Sequence, residues 1–290
     1  MKQTGMNATC LHCHFSKNLE IAQSLGDEQT ALLFAKELMA LYLQAPEGVG
    51  SPWFGPGVTA LLQKYYGVGE DRYVQEKLDS NRFVMERFSD IQQLVAAQED
   101  PVFAGLQFSI LGNYLDFSAL GKAVSFEKLD EMLTKALQIE LDRDCYAKLC
   151  RDLERGKHLL YLTDNAGEIA FDRIFAQEIQ KKYPHLQITF CVRGGPVLND
   201  ATREDAAAVG VPFPVIDSGS CIGGTELRCL GEEAKAAFES ADVIIAKGMG
   251  NNETLYGCGR NVYYAFLVKC KFFEQRFQKP LMTPMLVAER

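Results

Sequence analysis

Three short segments in the second half of the chain carry the residue types of hard-cation and phosphate chemistry. They are Thr163-Asp164-Asn165-Ala166-Gly167-Glu168, Asn199-Asp200-Ala201-Thr202 and Lys247-Gly248-Met249-Gly250-Asn251. Together they supply carboxylates, amides and an ammonium. Ions of the magnesium and manganese type are held by few carboxylates plus carbonyl oxygens and waters, which Asp164, Asn165 and Asp200 could provide. Each segment follows or closely trails an apolar run that reads as a strand. Strand ends of an α/β sheet lie on one edge, so the three segments are expected to converge there.

Neighbouring residues sharpen the pattern. Gly167 permits a tight turn, and Glu168 falls in the first turn of the next helix, near its positive end. An acidic residue at such a junction is also a common helix cap, so this segment alone defines no site. Asp200 repeats the arrangement at a second junction, after Arg193-Gly194-Gly195-Pro196, a loop whose amides could meet an anion. Lys247 ends the apolar run Asp242 to Ala246 and could neutralise a phosphate at the same edge. The plain alternative is a lysine that snorkels to solvent. Asp217-Ser218-Gly219-Ser220 ends another strand and offers hydroxyl and amide donors, or merely a turn.

The elements that must position these residues change character along the chain. Asp27 is a plausible cap for a helix over Glu28 to Gln44, with Ala31, Leu32, Ala35, Leu38 and Leu41 on one face. Pro46 to Pro56 reads as loop. Asp71 to Ala97, Pro101 to Asn113 and Ser125 to Cys150 read as helical. From His158 to Leu162 the pattern turns to strand. Helix follows over Gly167 to Tyr183, strand over Gln187 to Val192, helix over Ala201 to Val209 and strand over Phe213 to Ile216. Then come helix over Leu227 to Ser240, strand over Asp242 to Ala246, helix over Val262 to Phe277 and a last strand over Leu281 to Val287. This alternation predicts an α/β fold: a helical N-terminal region over 1–155, then a Rossmann-like, doubly wound, mostly parallel sheet over 156–290.

Composition narrows the function. Of 290 residues, 47% are apolar and 23% charged, and the net charge is −8, which disfavours nonspecific nucleic-acid binding. No apolar run is long enough to span a membrane, and the N-terminus lacks the apolar core of a signal peptide, so a cytoplasmic location is expected. The nine cysteines are an odd number and fit reduced thiols better than a disulfide framework. Cys10-Leu11-His12-Cys13 has the spacing of half a metal site, but a matching second pair is missing. None of the histidines (His12, His14, His158, His185) falls in the three segments, which disfavours a zinc-hydrolase cluster and a Ser-His-Asp triad. Neither a P-loop nor a Gly-x-Gly-x-x-Gly turn after the first strand is present.

The three segments resemble the signature blocks of the metal-dependent damage-control phosphatases, the domain of unknown function 89 family. Arg193 to Asp205 and Lys247 to Leu255 fall within those blocks. In the first half, Gly112-Asn113-Tyr114-Leu115-Asp116 resembles the family's Asn-x-x-Asp block. Asp71-Arg72-Tyr73 with Lys77 resembles its Asp-Pro-Tyr…Lys block, and Cys10 with Cys13 resembles its prokaryotic branch. The chain departs from the pattern at Arg72, where proline is expected, and at Asn252, where an aromatic residue is common. The resemblance implies a divalent ion (Mg, Mn, Co or Ni) held by Asp164, Asn165 and Asp200, and hydrolysis of the phosphate monoesters of small metabolites. In that scheme Lys247, Arg193, Gly194 and Ser218 hold the phosphate. Asn113, Asp116, Asn199, Asn251 and Glu253 contact the substrate. Glu168, Asp164 and Asp200 are catalytic, with Glu168 orienting or deprotonating the attacking water. The rival reading from a different class is a Rossmann-like cofactor-binding protein or S-adenosylmethionine-dependent methyltransferase, with Asp164 to Gly167 lining a cofactor cleft.

Overall fold

The computed structural model describes residues 5–116, 120 and 124–289, and only the backbone at positions 70 and 71. The chain opens with helices α1 (Ala8–Leu25), α2 (Glu28–Gln44) and α3 (Gly55–Tyr66). Asp27 caps α2 as its sequence predicts, accepting from the amide of Thr30 at 2.9 Å. The buried face of α2 differs from expectation at one position: Leu32 is 51% exposed, and Phe34 is buried with Ala31, Ala35 and Leu38. Helix α3 was not foreseen, because Gly55-Pro56-Gly57 reads as loop. Proline near the first helical position is nonetheless compatible with a helix start. These three helices enclose a small core of their own around Phe34, Leu38, Phe54, Val58 and Leu62.

Among the described residues, helices α4 (Val74–Ala96), α5 (Pro101–Gly112), α6 (Phe126–Leu133) and α7 (Arg143–Arg155) follow before the sheet. The sheet region then alternates β1 (His158–Leu162), α8 (Glu168–Lys182), β2 (Gln187–Val192), α9 (Arg203–Ala208) and β3 (Val215–Asp217). It continues with α10 (Glu232–Ser240), β4 (Val243–Lys247), α11 (Gly248–Leu255), β5 (Val262–Leu267), α12 (Lys271–Phe277) and β6 (Pro284–Ala288). The strand order is β3-β2-β1-β4-β5-β6, with β6 antiparallel to β5 and the other pairs parallel. The order reverses between β1 and β4, which places the ligand crevice of such sheets beyond their carboxyl ends.

One segment of the sequence reading is overturned. Val262 to Phe277 is not one helix but strand β5, a loop and the short helix α12. Every residue of β5 is buried, so the strand shows no alternation, and a continuous apolar run cannot be told from a buried helix by periodicity. Leu227 to Ser240 likewise divides: a 3₁₀ turn over Leu227–Cys229 precedes α10.

Helix α5 lies buried against the sheet region. It contributes with α4, α7 and α8 to one hydrophobic cluster that includes Leu159, Tyr161, Phe190 and Ile245 of the strands. The opposite face packs Phe238 of α10, Leu255 of α11 and Phe273 of α12. Contact between α5 and α8 is close because two glycines permit it. A Cβ on Gly105 would stand 3.0 Å from the backbone of Phe175, and one on Gly112 would stand 2.6 Å from the ring of Phe171. This proximity delivers Asn113, just past the end of α5, to the strand ends. Among the described residues no helix is long and apolar enough to cross a membrane.

Candidate active site

The loops after β1 and β2 are tied together by backbone. Asn165 and Asp200 form an isolated antiparallel bridge, with Ala201 N donating to Asp164 O at 2.7 Å and Ala166 N to Asn199 O at 2.9 Å. Asp164 and Asp200 are thereby brought to one place from separate strand ends. Arg193 joins them: its Nε donates to Asp200 Oδ2 at 2.6 Å, and its terminal nitrogen lies 3.6 Å from Asp164 Oδ1. That terminal nitrogen has no hydrogen-bond partner although it is buried.

Amides hold the carboxylates in register. Asn113 Nδ2 donates to Asp164 Oδ2 at 3.0 Å and to Glu168 Oε2 at 2.9 Å. Asn165 Nδ2 donates to the same two oxygens at 2.9 and 2.8 Å. Asn199 Nδ2 fixes Asn165 Oδ1 at 3.0 Å and Leu115 O at 2.8 Å. Asn251 Nδ2 reaches Thr163 O at 3.2 Å, locking the end of β1 to α11. Asp116 pairs with Lys269 Nζ at 2.7 Å. Lys269 was missed by sequence reasoning because the misread β5 hid that it follows a strand end.

Lys247 stands at the expected strand end but turns inward. It is fully buried, and its ammonium meets Ser109 O and Oγ at 2.7 Å, Glu168 Oε1 at 3.0 Å and Asp172 Oδ1 at 3.1 Å. It neutralises protein carboxylates rather than presenting a free donor. Gly194 is also committed, its amide donating to Ser220 O at 2.9 Å and to Ser218 Oγ at 3.2 Å. Ser218 therefore shapes the loop after β2. Glu253 pairs with Ser51 Oγ at 3.1 Å, and burial pushes it up to about 7; none of its hydrogen bonds joins the acidic cluster. Of the first-half blocks, Lys77 holds Asp205 at 2.6 Å; Asn81, which the sequence reading did not single out, donates to Asp205 at 2.9 Å and accepts from the Gly167 amide at 2.7 Å. The side chain of Asp71 lies outside the described residues. Cys10 and Cys13 sit in α1, and all nine cysteines are free thiols.

The electrostatics are those of crowded buried acids. Burial raises Asp164 well above the ordinary carboxylate range, and Asp200, Glu168 and Asp116 raise it further, while Lys269 opposes. Burial pushes Asp200 up to about 6 against the pull of Arg193. Such a cluster gains from a bound cation, whose charge reverses the repulsion. Among the described residues no three His, Cys, Asp or Glu side chains are gathered to hold an ion by themselves. A site of two carboxylates completed by amide oxygens and water suits a magnesium-like ion and not a structural zinc. Room is kept by Gly248, whose backbone passes so close to the Asp164 carboxylate that a Cβ there would collide with it. The carboxylates of Asp164 and Asp200 fit a hard divalent ion, whereas Asn165 turns its Nδ2 to Asp164 and Glu168 and gives its Oδ1 to Asn199, so it would join them only through the second lone pair of that oxygen. Beside them a cavity of about 770 Å³ is lined by Pro56, Lys77, Leu198, Thr202 and Asp205.

The chain resembles known proteins over nearly its whole length. The damage-control phosphatase ARMT1-like domain matches residues 6–282. The uncharacterized protein MJ0202 of Methanocaldococcus jannaschii is 35% identical over 90% of this chain and 88% of its own length. A damage-control phosphatase of Archaeoglobus fulgidus is 32% identical over 70% of each chain, and damage-control phosphatase PH1575 of Pyrococcus horikoshii is 29% identical over 94% and 93%. The crystal structure of PH1575, described as a DUF89 family protein, superposes with a TM-score of 0.82 at 26% identity, covering 98% of this chain and 99% of that one. On the reach of the domain match and these identities, the chain belongs to the damage-control phosphatase ARMT1-like family.

Proposed function

We propose that this protein is a divalent-metal-dependent phosphatase acting on phosphate monoesters of small metabolites, sugar phosphates or damaged phosphometabolites among them. The observation that carries the reading is the backbone bridge joining Asn165 to Asp200, which sets two buried aspartates from different strand ends around Arg193. Family membership supports the phosphatase class, and the hard oxygen donors support the metal.

Asp164 and Asp200, with the Asn165 side chain, would hold the ion. A bound divalent cation supplies neutralisation of phosphoryl charge and a more acidic water. Arg193 offers its unspent terminal N–H groups to a phosphoryl oxygen, at a point where charge must be balanced in any phosphoryl transfer. Asn113 and Asn165 fix Oε2 of Glu168, and Lys247 stands 3.0 Å from Oε1, whose remaining lone pair would orient water or take its proton. Hydrolysis breaks the ester P–O bond, water supplies the new oxygen, and the alcohol leaves with a proton. The cavity lined by Leu198, Thr202 and Asp205 would give room for the organic half of the ester; Asn113, Asp116 and Asn199 are not in its lining, and Asn113 and Asn199 instead brace Asp164, Glu168 and Asn165.

The test is a phosphatase screen of the full chain against an aryl phosphate, sugar phosphates and phosphorylated cofactors. It is run with Mg²⁺, Mn²⁺, Co²⁺ or Ni²⁺ and again with EDTA. Turnover that requires the metal and disappears in Asp200→Ala is the expected result. Equal turnover in EDTA, or in Asp200→Ala, removes the proposal.

A further inference from the structure

Behind Glu168 lies a buried ionic network that the hydrolysis scheme leaves unused. Asp172 sits one turn along α8 from Glu168 and is fully buried. Its Oδ1 accepts from Ser109 Oγ at 2.7 Å and from Tyr161 OH at 2.9 Å, and lies 3.1 Å from Lys247 Nζ. The same ammonium lies 3.0 Å from Glu168 Oε1. Lys247 is therefore shared between two carboxylates of one helix face, with Ser109 of α5 beneath it. Asp172 Oδ2 has no hydrogen-bond partner.

Stability alone explains this poorly. Buried ion pairs are often no better than well-packed apolar groups, and an unsatisfied buried carboxylate oxygen is a cost. A lysine on a flexible four-carbon stem does not hold a fixed position by itself. Here it is fixed by Ser109 and Asp172, and Asp172 is fixed in turn by Tyr161. Glu168 is gripped from the other side by Asn113 and Asn165 on Oε2. Its remaining oxygen, Oε1, is placed only through Lys247.

Resting on the phosphatase reading, we propose that Asp172 is a positioning residue for the reaction: with Ser109 and Tyr161 it fixes Lys247, and through Lys247 it fixes Oε1 of Glu168. The groups facing Asp172 are Lys247 from β4, Tyr161 from β1, Glu168 from its own helix and the hydroxyl of Ser109. Burial pushes Asp172 up to about 6 while Lys247 pulls the other way.

A double-mutant cycle on the full chain tests this, with Asp172→Asn and Lys247→Met assayed on an aryl phosphate with Mn²⁺. Asp172→Asn should lower kcat by about 10- to 100-fold with KM changed less than about twofold. Placed on Lys247→Met, the same change should cost less than about twofold, because its route to Glu168 is already cut. Calorimetric Mn²⁺ affinity should stay within about threefold, since Asp172 touches none of Asp164, Asn165 and Asp200. A folded Asp172→Asn with unchanged kcat, or two costs that multiply independently, overturns the assignment. If Asp172→Asn fails to fold, Ser109→Ala with Tyr161→Phe loosens Asp172 without removing a charge, and an unchanged kcat there overturns it equally. A folded wild type inactive with every metal and ester defeats the phosphatase reading itself, a different result from an active wild type with an active Asp172→Asn.

Discussion

Asn113 and Asp164 are the joint between the helical half and the sheet: Asn113 Nδ2 lies 3.0 Å from Asp164 Oδ2, while its Oδ1 accepts from the amide of Leu267 at 3.1 Å. One side chain thus ties the end of α5 to β1 and β5, and also reaches Glu168. Asn113→Ala would leave the Leu267 amide and two carboxylates short of partners. The expected cost is about 2–4 kcal/mol of folding stability together with most of the activity. Asn113→Asp would keep an acceptor for Leu267 but add a further negative charge beside Asp164 and Glu168. It should be the more damaging of the two at neutral pH when metal is removed. Urea melts of both variants, with and without EDTA, decide this; equal losses would show that charge crowding is not the controlling term.

Gly248 follows Lys247 with φ of 76° and faces the Asp164 carboxylate. Gly248→Ala carries two penalties. A left-handed alanine costs about 1–2 kcal/mol, and its methyl group would displace the carboxylate. Metal affinity should fall much further than stability does. Calorimetry against Mn²⁺ alongside a thermal melt separates the two, and an unaltered affinity would show that Asp164 is not a ligand.

Glu168→Gln keeps the size of the side chain and removes its charge. If Glu168 serves as the base, kcat should fall by roughly 10²- to 10⁴-fold, the usual worth of general-base catalysis. The substitution also leaves Lys247 with one carboxylate, Asp172. KM is expected to change little, because the substrate-facing groups keep their partners. An unaffected kcat takes Glu168 out of the reaction.

The metal-free site holds more negative charge than its neighbours neutralise. Burial raises Asp164 well above its ordinary range, and Asp200 and Glu168 add to the shift, so the apoprotein holds a proton there more readily than an ordinary aspartate does. A divalent ion requires the carboxylate, so binding expels whatever proton the site holds. Manganese titrations at neutral pH in two buffers of different ionisation enthalpy should therefore give different apparent heats, the difference reporting protons released. Identical heats would mean that the site binds as a preformed anion.

Much of this was legible in the residues, and what was hidden has a physical cause. Strands β1 and β2 were readable because helical segments with clear spacing follow them, and Asp164 and Asp200 could be placed at their ends. Strand β5 was not, because both its faces are covered and it shows no alternation. That single error concealed Lys269, the partner of Asp116. Lys247 was placed at the correct strand end, yet its direction depends on Ser109 and Asp172, which lie far from it in sequence and became neighbours only through the α5–α8 packing. Spacing along the chain locates backbone positions; the turn of a long side chain is decided by tertiary partners.

His14 gives a test of the N-terminal layer independent of catalysis. Its Nδ1 lies 2.7 Å from the Tyr42 hydroxyl, and its ring packs near Phe54. Burial pushes its pKa down to about 4 from the ordinary 6.5, with Lys17 adding a smaller push. Above 6.5 the imidazole is neutral whether the chain is folded or not, so it gives stability no pH dependence. As pH falls below that value the unfolded chain takes up a proton that the fold refuses, and stability declines until about 4. His14→Gln keeps a polar partner for Tyr42 and removes the titration. The stability difference between wild type and variant should be constant above pH 6.5 and shift in favour of the variant toward pH 4. Subtracting the two curves removes the other titrating groups, including Asp172 and Asp200. A difference that stays flat across that interval would mean that His14 is protonated as readily in the fold as in the unfolded chain.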